Sequence, residues 1–171
     1  MMKKLYTMGS LMTLVLLLSL TACHDMKVGY LQTENASYTP DTVYAYRNPA
    51  EDDNMHYEKD TPWLSPRIQG VAGTNPINYK YYSVKVKEGG DAGLFVQAVQ
   101  NGEIQVQGAG LILLFPSAVG KLPDGIYTLS IRVYNEDHSD ILEDAFTYVV
   151  KDLPGDEYQP GGDDSWDEGD W

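Results

Sequence analysis

From Tyr127 onward, apolar and polar residues alternate in the stretch Ile126-Tyr127-Thr128-Leu129-Ser130-Ile131-Arg132-Val133. Successive side chains of a β-strand point to opposite faces, so the four apolar side chains from Tyr127 to Val133 share one face, and Thr128, Ser130 and Arg132 share the other. An apolar side chain of this size contributes about 1.5–3 kcal/mol when it is fully buried. The stretch therefore predicts a central strand of a β-sheet core.

Turn signals lie on either side of further apolar runs. Leu122-Pro123-Asp124-Gly125 precedes the central strand, with a proline that presets φ and a glycine that accepts positive φ. Upstream, Leu94–Val99 and Ile104–Gln107 flank Asn101-Gly102, the dipeptide preferred in a type I′ hairpin turn. These two runs are predicted to form a β-hairpin.

Other short apolar runs complete an all-β pattern. Further strands are predicted at Thr42–Tyr46, Ile77–Lys87, Leu111–Phe115 and Ala145–Val150. We find no convincing helical period over ten residues downstream of residue 22. The pattern favours one antiparallel β-sandwich domain over residues 38–151.

The first 23 residues carry a targeting pattern. Met1-Met2-Lys3-Lys4 is a short cationic start, and the apolar core Leu11–Leu20 is shorter than the roughly 20 residues of a transmembrane helix. Leu20-Thr21-Ala22-Cys23 then resembles a bacterial lipobox. That resemblance implies a signal peptide over residues 1–22, cleaved just before Cys23, with acyl chains on the Cys23 thiol and on the new amino terminus. The alternative is an ordinary secretory signal followed by a chance cysteine.

Lipidation would decide where the protein resides. Several buried acyl chains, at about 0.8 kcal/mol per CH₂, anchor a protein stably to a membrane. His24 stands where some Gram-negative inner-membrane lipoproteins carry an aspartate, so the resemblance favours the outer membrane, on its periplasmic or its external face. Cys23 is the only cysteine, which excludes a disulfide within the chain.

Two segments are predicted to flank the domain. Residues 23–37 are polar and lack periodicity, which indicates a tether between the lipid and the domain. Residues 152–171 contain eight acids, no base, two prolines and four glycines, a composition typical of a disordered acidic tail. The net charge of −13 also argues against nucleic acid as a partner, because phosphates require cations.

Two family resemblances rest on short motifs. Asp124-Gly125-Ile126-Tyr127 is similar to the tyrosine corner of immunoglobulin-like sandwiches, in which the tyrosine hydroxyl bonds to the chain upstream. The order of Gly73–Tyr79, Leu94-Phe95, Asn101–Val106 and Gly125–Val133 resembles that of cadherin-like and immunoglobulin-like modules. With the lipobox and acidic tail, the chain resembles small surface lipoproteins of gut Bacteroidota, many of them encoded beside glycan-uptake systems. The acidic calcium motifs of cadherins are missing, so calcium-dependent adhesion is not implied.

Motifs for catalysis and cofactors are missing. The chain has no Gly-x-Ser-x-Gly elbow and no His-Glu-x-x-His helix, and its histidines, His24, His56 and His138, are isolated from one another. The loop Asn135–Asp140 offers carboxylates that suit a hard cation, but it lacks EF-hand spacing, and a solvated hairpin loop is the simpler interpretation. We therefore predict no catalytic residue, no metal site, no cofactor and no enzymatic activity.

Aromatic side chains are the remaining candidates for a binding site. Tyr79 and Tyr81 fall on one face of their predicted strand and Tyr82 on the other, and Trp63 lies between prolines in a predicted loop. Exposed aromatic rings stack on sugars, whereas the alternative for each of them is core packing. Trp166 and Trp171 in the tail are either a partner-binding motif or part of a solvated end.

The resulting expectation is a non-catalytic, lipid-anchored surface module. It would bind a polysaccharide, or a partner protein of the outer membrane in an uptake complex. One alternative is a structural or adhesion subunit whose open sheet edge accepts a strand from a neighbour. Another is a hydrolase that uses an unrecognised pair of carboxylates.

Overall fold

The computed structural model describes residues 28–49 and 55–153. Its strands are β1 (Leu31–Gln32), β2 (Thr42–Tyr46), β3 (Trp63–Leu64), β4 (Ala72–Gly73), β5 (Asn78–Lys87), β6 (Ile104–Gln107), β7 (Leu111–Leu114), β8 (Gly125–Tyr134) and β9 (Ser139–Lys151). Its helices are α1 (Met55–Glu58), α2 (Ala92–Gln100) and α3 (Pro116–Val119), with a 3₁₀ turn at Gly108–Gly110. The predicted signal peptide, Cys23 and residues 154–171 lie outside the described residues.

The strands form two main sheets. One has the order β2-β9-β8-β5 and the other the order β3-β7-β6, while β1 and β4 form a separate pair. The fold is thus mostly β, as the sequence predicts. The expectation of purely antiparallel pairing is wrong at one place, because β2 runs parallel to β9. These two strands are neighbours in the sheet but far apart along the chain, so no tight turn constrains their relative direction.

Strand β8 occupies the centre of the larger sheet. It pairs with β5 on one side and β9 on the other, and Tyr127, Leu129, Ile131 and Val133 have no exposed surface. The prediction of a central core strand is therefore confirmed, with all four side chains on the inner face.

Tyr148 of β9 connects the two sheets across the core. Its buried hydroxyl donates toward the carbonyl oxygens of Trp63 and Ile112, at 3.1 and 3.0 Å. Both acceptors belong to the smaller sheet. Burial raises the pKa of Tyr148, so the hydroxyl keeps its proton and remains a donor.

The predicted strand Leu94–Val99 is wrong, because these residues lie in α2. Asp91 caps the helix, and its carboxylate accepts a hydrogen bond from the Leu94 amide at 3.0 Å. Phe95 and Ala98, three residues apart, are the buried side chains of the helix. That spacing places both on one helical face, whereas alternation in a strand would separate them.

The Asn101-Gly102 dipeptide ends this helix and does not form a hairpin turn. Gly102 has a φ of +75°, its amide donates to Val99 O at 3.1 Å, and the Glu103 amide donates to Ala98 O at 2.9 Å. This pair of bonds is a Schellman motif. The positive φ that suits a type I′ turn suits a helix end equally well, so the dipeptide alone could not distinguish them.

The expected tether is corrected for residues 28–37, which pack on the domain. Strand β1 pairs with β4, and the Asn135 side chain donates to the carbonyl oxygens of Tyr30 and Thr74, at 3.0 and 3.2 Å. The Val28 amide donates to the Asp137 carboxylate at 2.7 Å. The folded part therefore begins before residue 38.

The start of β8 contains the upstream hydrogen bond expected of a tyrosine corner. The Tyr127 hydroxyl donates to Pro123 O at 2.8 Å and accepts from the Asp91 amide at 3.3 Å. A Cβ atom on Gly125 would lie 2.6 Å from Gly90 Cα, so glycine permits the close approach of the two chains here. The predicted hydrogen bond is confirmed.

We expect the substitution Tyr127→Phe to lower the free energy of unfolding by about 1–2 kcal/mol, because two backbone groups lose their partner. Urea unfolding of the variant would measure this loss. The control is Tyr82→Phe, whose parent side chain is 53% exposed and which we expect to change stability by no more than about 0.5 kcal/mol. Equal stability of the two variants would contradict the role assigned to the Tyr127 hydroxyl.

In the described part of the chain, no helix is both long and apolar enough to cross a membrane.

Candidate functional site

The structure separates the three tyrosines of β5. Tyr79 and Tyr81 pack against the hydrophobic core, and Tyr82 points outward with 53% of its surface exposed. Burial raises the pKa of both Tyr79 and Tyr81. Tyr82 is thus the tyrosine of β5 that is most open to a ligand.

Trp63 is buried and does not lie in an exposed loop as predicted. It forms part of β3 and is 6% exposed. The His56 ring stacks on the indole with centroids 4.0 Å apart, and Tyr57 meets its edge at 5.8 Å. These two rings of α1 cover the tryptophan, so it offers no flat surface to a sugar.

A polar and positively charged surface covers the side of the larger sheet that faces away from the core, which we name the outer face. Alternation in the four strands assigns side chains to it, and an irregularity in β5 between Tyr81 and Ser83 places Lys85 and Lys87 on the same face as Lys80. They include Tyr44, Thr147, Val149, Lys151, Ile126, Thr128, Arg132, Tyr134, Ser139, Ile141, Asn78, Lys80, Tyr82, Lys85 and Lys87, together with the acid Asp144, which pairs with Lys85. Five of the nine lysines and arginines in the described residues lie here, although the whole chain has a net charge of −13.

Lys80 and Arg132 form the most concentrated positive charge on the outer face. They are direct partners in the register of β5 and β8, and each cation lies 5.6 Å from the centroid of the Tyr134 ring. Arg132 also donates to the Ser139 hydroxyl at 3.2 Å. Within the described residues, neither cation has a carboxylate within 4.0 Å.

This arrangement favours an anion. Like charges directly opposite each other on adjacent strands destabilise a sheet. The tyrosine ring offsets part of that cost through its negative face, since cation–π contacts are worth about 0.5–1 kcal/mol at exposed sites. A carboxylate or sulfate group placed between the two cations would remove the repulsion and supply the missing counter-charge.

The opposite end of the outer face carries a second group of cations. Lys151 lies 5.7 Å from the centroid of the Tyr44 ring, which is 45% exposed. An open cavity of about 210 Å³ borders this end, and its lining includes Lys151 and Ile126 together with the acidic residues Glu88 and Asp124. Lys87 pairs with Ile126 in the register, so it belongs to the same end.

Lys85, between these two ends, is already neutralised. Its ammonium group lies 2.7 Å from the Asp144 carboxylate, and this hydrogen bond raises the pKa of Lys85. Both side chains are about half exposed. Such an exposed pair contributes little to stability. Because Lys85 is paired with Asp144, the cations at the two ends of the outer face are the ones available to a ligand.

The acidic loop Asn135–Asp140 makes hydrogen bonds to residues 28–33 of the same chain. Asp137 accepts from the Val28 amide at 2.7 Å, Asp140 accepts from the Thr33 hydroxyl, and His138 lies 3.1 Å from Gly29 O. A polar cavity of about 220 Å³ adjoins the loop and includes Arg132 in its lining. Across residues 28–49 and 55–153, no cluster of three or more His, Cys, Asp or Glu side chains is placed to hold a metal ion.

No known protein family matches this chain, and no curated protein or solved structure shows significant similarity to it.

Proposed function

We propose that this protein is a non-catalytic, lipid-anchored binding module whose outer face binds an anionic polysaccharide, one that carries carboxylate or sulfate groups. The proposal rests chiefly on the Lys80–Arg132 pair, which lacks a carboxylate partner among the described residues. A repeating acidic sugar supplies negative charges along a flat, extended chain, which matches cations spread over a sheet.

The neighbouring aromatic rings suit the sugar part of such a ligand. Tyr82 and Tyr44 are 53% and 45% exposed, and each lies on the same surface as the cations. A tyrosine ring offers an apolar face together with a polar hydroxyl, a combination suited to stacking against sugar C–H groups. The cations would orient the polysaccharide, and the rings would add contact area.

The fold and location assigned to the module are part of the same proposal. We propose that it is an immunoglobulin-like sandwich, which the Tyr127–Pro123 hydrogen bond and the shared core of two sheets support. We further propose that Cys23 carries the acyl chains and that the domain sits at the outer membrane. The lipobox-like Leu20-Thr21-Ala22-Cys23 supports the acylation, and His24, in place of an aspartate after Cys23, supports the outer membrane.

Affinity electrophoresis tests the ligand. The chain from residue 23 onward, with Cys23→Ser, would be run in gels that contain polygalacturonate, a polymer of uronic acid, or the neutral polymer dextran. We expect retardation by polygalacturonate alone, and a decline in retardation as salt increases, because polyanion binding releases counterions.

Matched double variants locate the site. Lys80→Gln/Arg132→Gln should weaken polygalacturonate binding by about tenfold or more, since it removes both cations that lack a carboxylate partner among the described residues. Lys59→Gln/Arg67→Gln removes the same charge from exposed residues outside the outer face and should leave binding close to the parent value. Equal weakening in both variants, or retardation by dextran alone, would contradict the proposal.

A further inference from the structure

The sequence supplies an acidic segment that could compete for the outer face. Residues 154–171 contain seven acids and no lysine or arginine, together with Trp166 and Trp171. The carboxylates provide the counter-charge that Lys80 and Arg132 lack among the described residues, and indole rings are the best partners for cations in cation–π contacts. Charge and side-chain type are therefore complementary between this segment and the outer face.

The point at which the chain leaves the domain lies at one end of the outer face. Strand β9 ends at Lys151, and Asp152 is held there by Asn48, whose amide donates to Asp152 O at 2.8 Å. Arg47 also contacts the Asp152 carboxylate, at 3.3 Å. The segment therefore starts beside Lys151 and Tyr44.

The segment is long enough to cover the whole face. The ten residues of β8 span about 33 Å at roughly 3.3 Å per residue. Residues 154–171 reach up to about 60 Å when extended. Lys80 and Arg132, toward the far end of β5 and β8, are thus within reach.

We propose that residues 154–171 dock on the outer face of their own domain, with carboxylates paired to Lys80, Arg132 and Lys87. The docking rests on the described cations, on the acids and length of the segment and on the place where the chain leaves β9, and it does not depend on the proposed ligand. Its consequence, that the segment competes with an anionic polysaccharide, rests on the function proposed above. Individual exposed ion pairs are weak, but a tethered segment has an effective concentration in the millimolar range, so several weak contacts suffice. The cover is reversible and sensitive to salt.

Zero-length carbodiimide cross-linking of the chain from residue 23 to residue 171, with Cys23→Ser, tests the docking directly. The reagent joins carboxylates to lysines that are in contact, and mass spectrometry locates the products. We expect cross-links from the segment to Lys80 and Lys87 to exceed those to Lys59 by about fivefold or more at low salt, and this preference to vanish near 1 M salt. Mixing ¹⁵N-labelled with unlabelled protein distinguishes links within one chain from links between chains.

Lys59 is a stringent control because it is exposed and belongs to the region where the chain exits. It follows α1, in which the Tyr57 hydroxyl donates to Tyr46 O at 3.0 Å, next to Arg47. An undocked segment would therefore label Lys59 at least as readily as the more distant Lys80. Even labelling, or links mainly between chains, would overturn the proposal.

A second pair of variants tests whether the cross-links depend on the cation next to Lys80. Arg132→Gln should lower the yield at Lys80 by about threefold without removing the reactive lysine, whereas Arg67→Gln should leave it unchanged. An equal yield in both variants would count against docking at this place.

Truncation after residue 153 separates this proposal from the proposed function. If both hold, the truncated chain binds polygalacturonate with a Kd about tenfold lower than the full chain. If the cross-links form but neither chain binds any acidic polymer, the docking stands and the proposed ligand is wrong. If the truncated chain binds no tighter than the full chain and the cross-links are evenly spread, the docking is wrong and the ligand stands.

Discussion

Replacing Phe95 by alanine is expected to lower the free energy of unfolding by about 3–5 kcal/mol, because the substitution leaves a cavity in the core. Phe95 has no exposed surface, and its ring stacks on Tyr127 with centroids 5.3 Å apart and lies 6.2 Å from Tyr81. Through these two rings Phe95 packs α2 against the larger sheet. Chemical denaturation followed by circular dichroism would measure the loss.

Val96 provides the matched control on the same helix. It is 37% exposed, so Val96→Ala should change stability by no more than about 0.5 kcal/mol. Should Phe95→Ala fail to fold, Phe95→Leu, which keeps most of the apolar volume, provides the comparison and should cost about 1–2 kcal/mol. Comparable losses at Phe95 and Val96 would contradict the burial assigned to Phe95.

The substitution Cys23→Ser is expected to move the protein almost completely from the membrane fraction to the soluble fraction. A serine hydroxyl does not accept the thioether-linked acyl chains implied by the lipobox resemblance, and without several chains the domain has no stable anchor. Fractionation and labelling with a radioactive fatty acid would measure both effects.

The control for this prediction is Thr21→Ser, which keeps a small hydroxyl residue at that position and should leave the protein in the membrane. Continued incorporation of fatty acid by the Cys23→Ser chain would contradict the assignment of Cys23 as the lipidated residue. So would retention of that chain in the membrane.

The parts of the fold that follow from local alternation could be predicted from the sequence. Strands β2 and β6 have the bounds expected, and β8 has the buried face expected, because alternation along a single strand is enough to define a face. Helix α2 was missed because its apolar run is short. The sequence does contain one helix signal, because Asp91 can cap a helix by accepting a hydrogen bond from the amide of Leu94, three residues later. In the structure this cap is formed, and Leu94–Val99 is helical despite its strand-like composition.

The candidate site depends on register, which the sequence does not reveal. Lys80 and Arg132 become neighbours only through the pairing of β5 with β8, and they are far apart along the chain. The pattern of β5 gives only part of the answer: Lys85 and Lys87 alternate with Val84 and Val86, but Lys80 shares their face only through the register shift between Tyr81 and Ser83. Of the aromatic side chains that the sequence indicates as binding candidates, Trp63 is buried and Tyr79 and Tyr81 pack against the core.

Long-range hydrogen bonds also explain the error at the amino-terminal segment. Residues 28–37 are held in place by hydrogen bonds to side chains of a loop that is distant in sequence, chiefly Asn135 and Asp137. Such contacts require no hydrophobic periodicity within the segment. A segment held by such contacts has a polar composition that resembles that of a tether.

An NMR titration would test whether the outer face is the anion-binding surface that we propose. Amide spectra of the ¹⁵N-labelled chain from residue 23 to residue 153, with Cys23→Ser, would be recorded while oligogalacturonate is added at low salt. We expect chemical-shift changes centred on Lys80, Arg132 and Tyr134, with none near Lys59 or Arg67. Changes centred elsewhere, or no changes at millimolar ligand, would contradict the proposal.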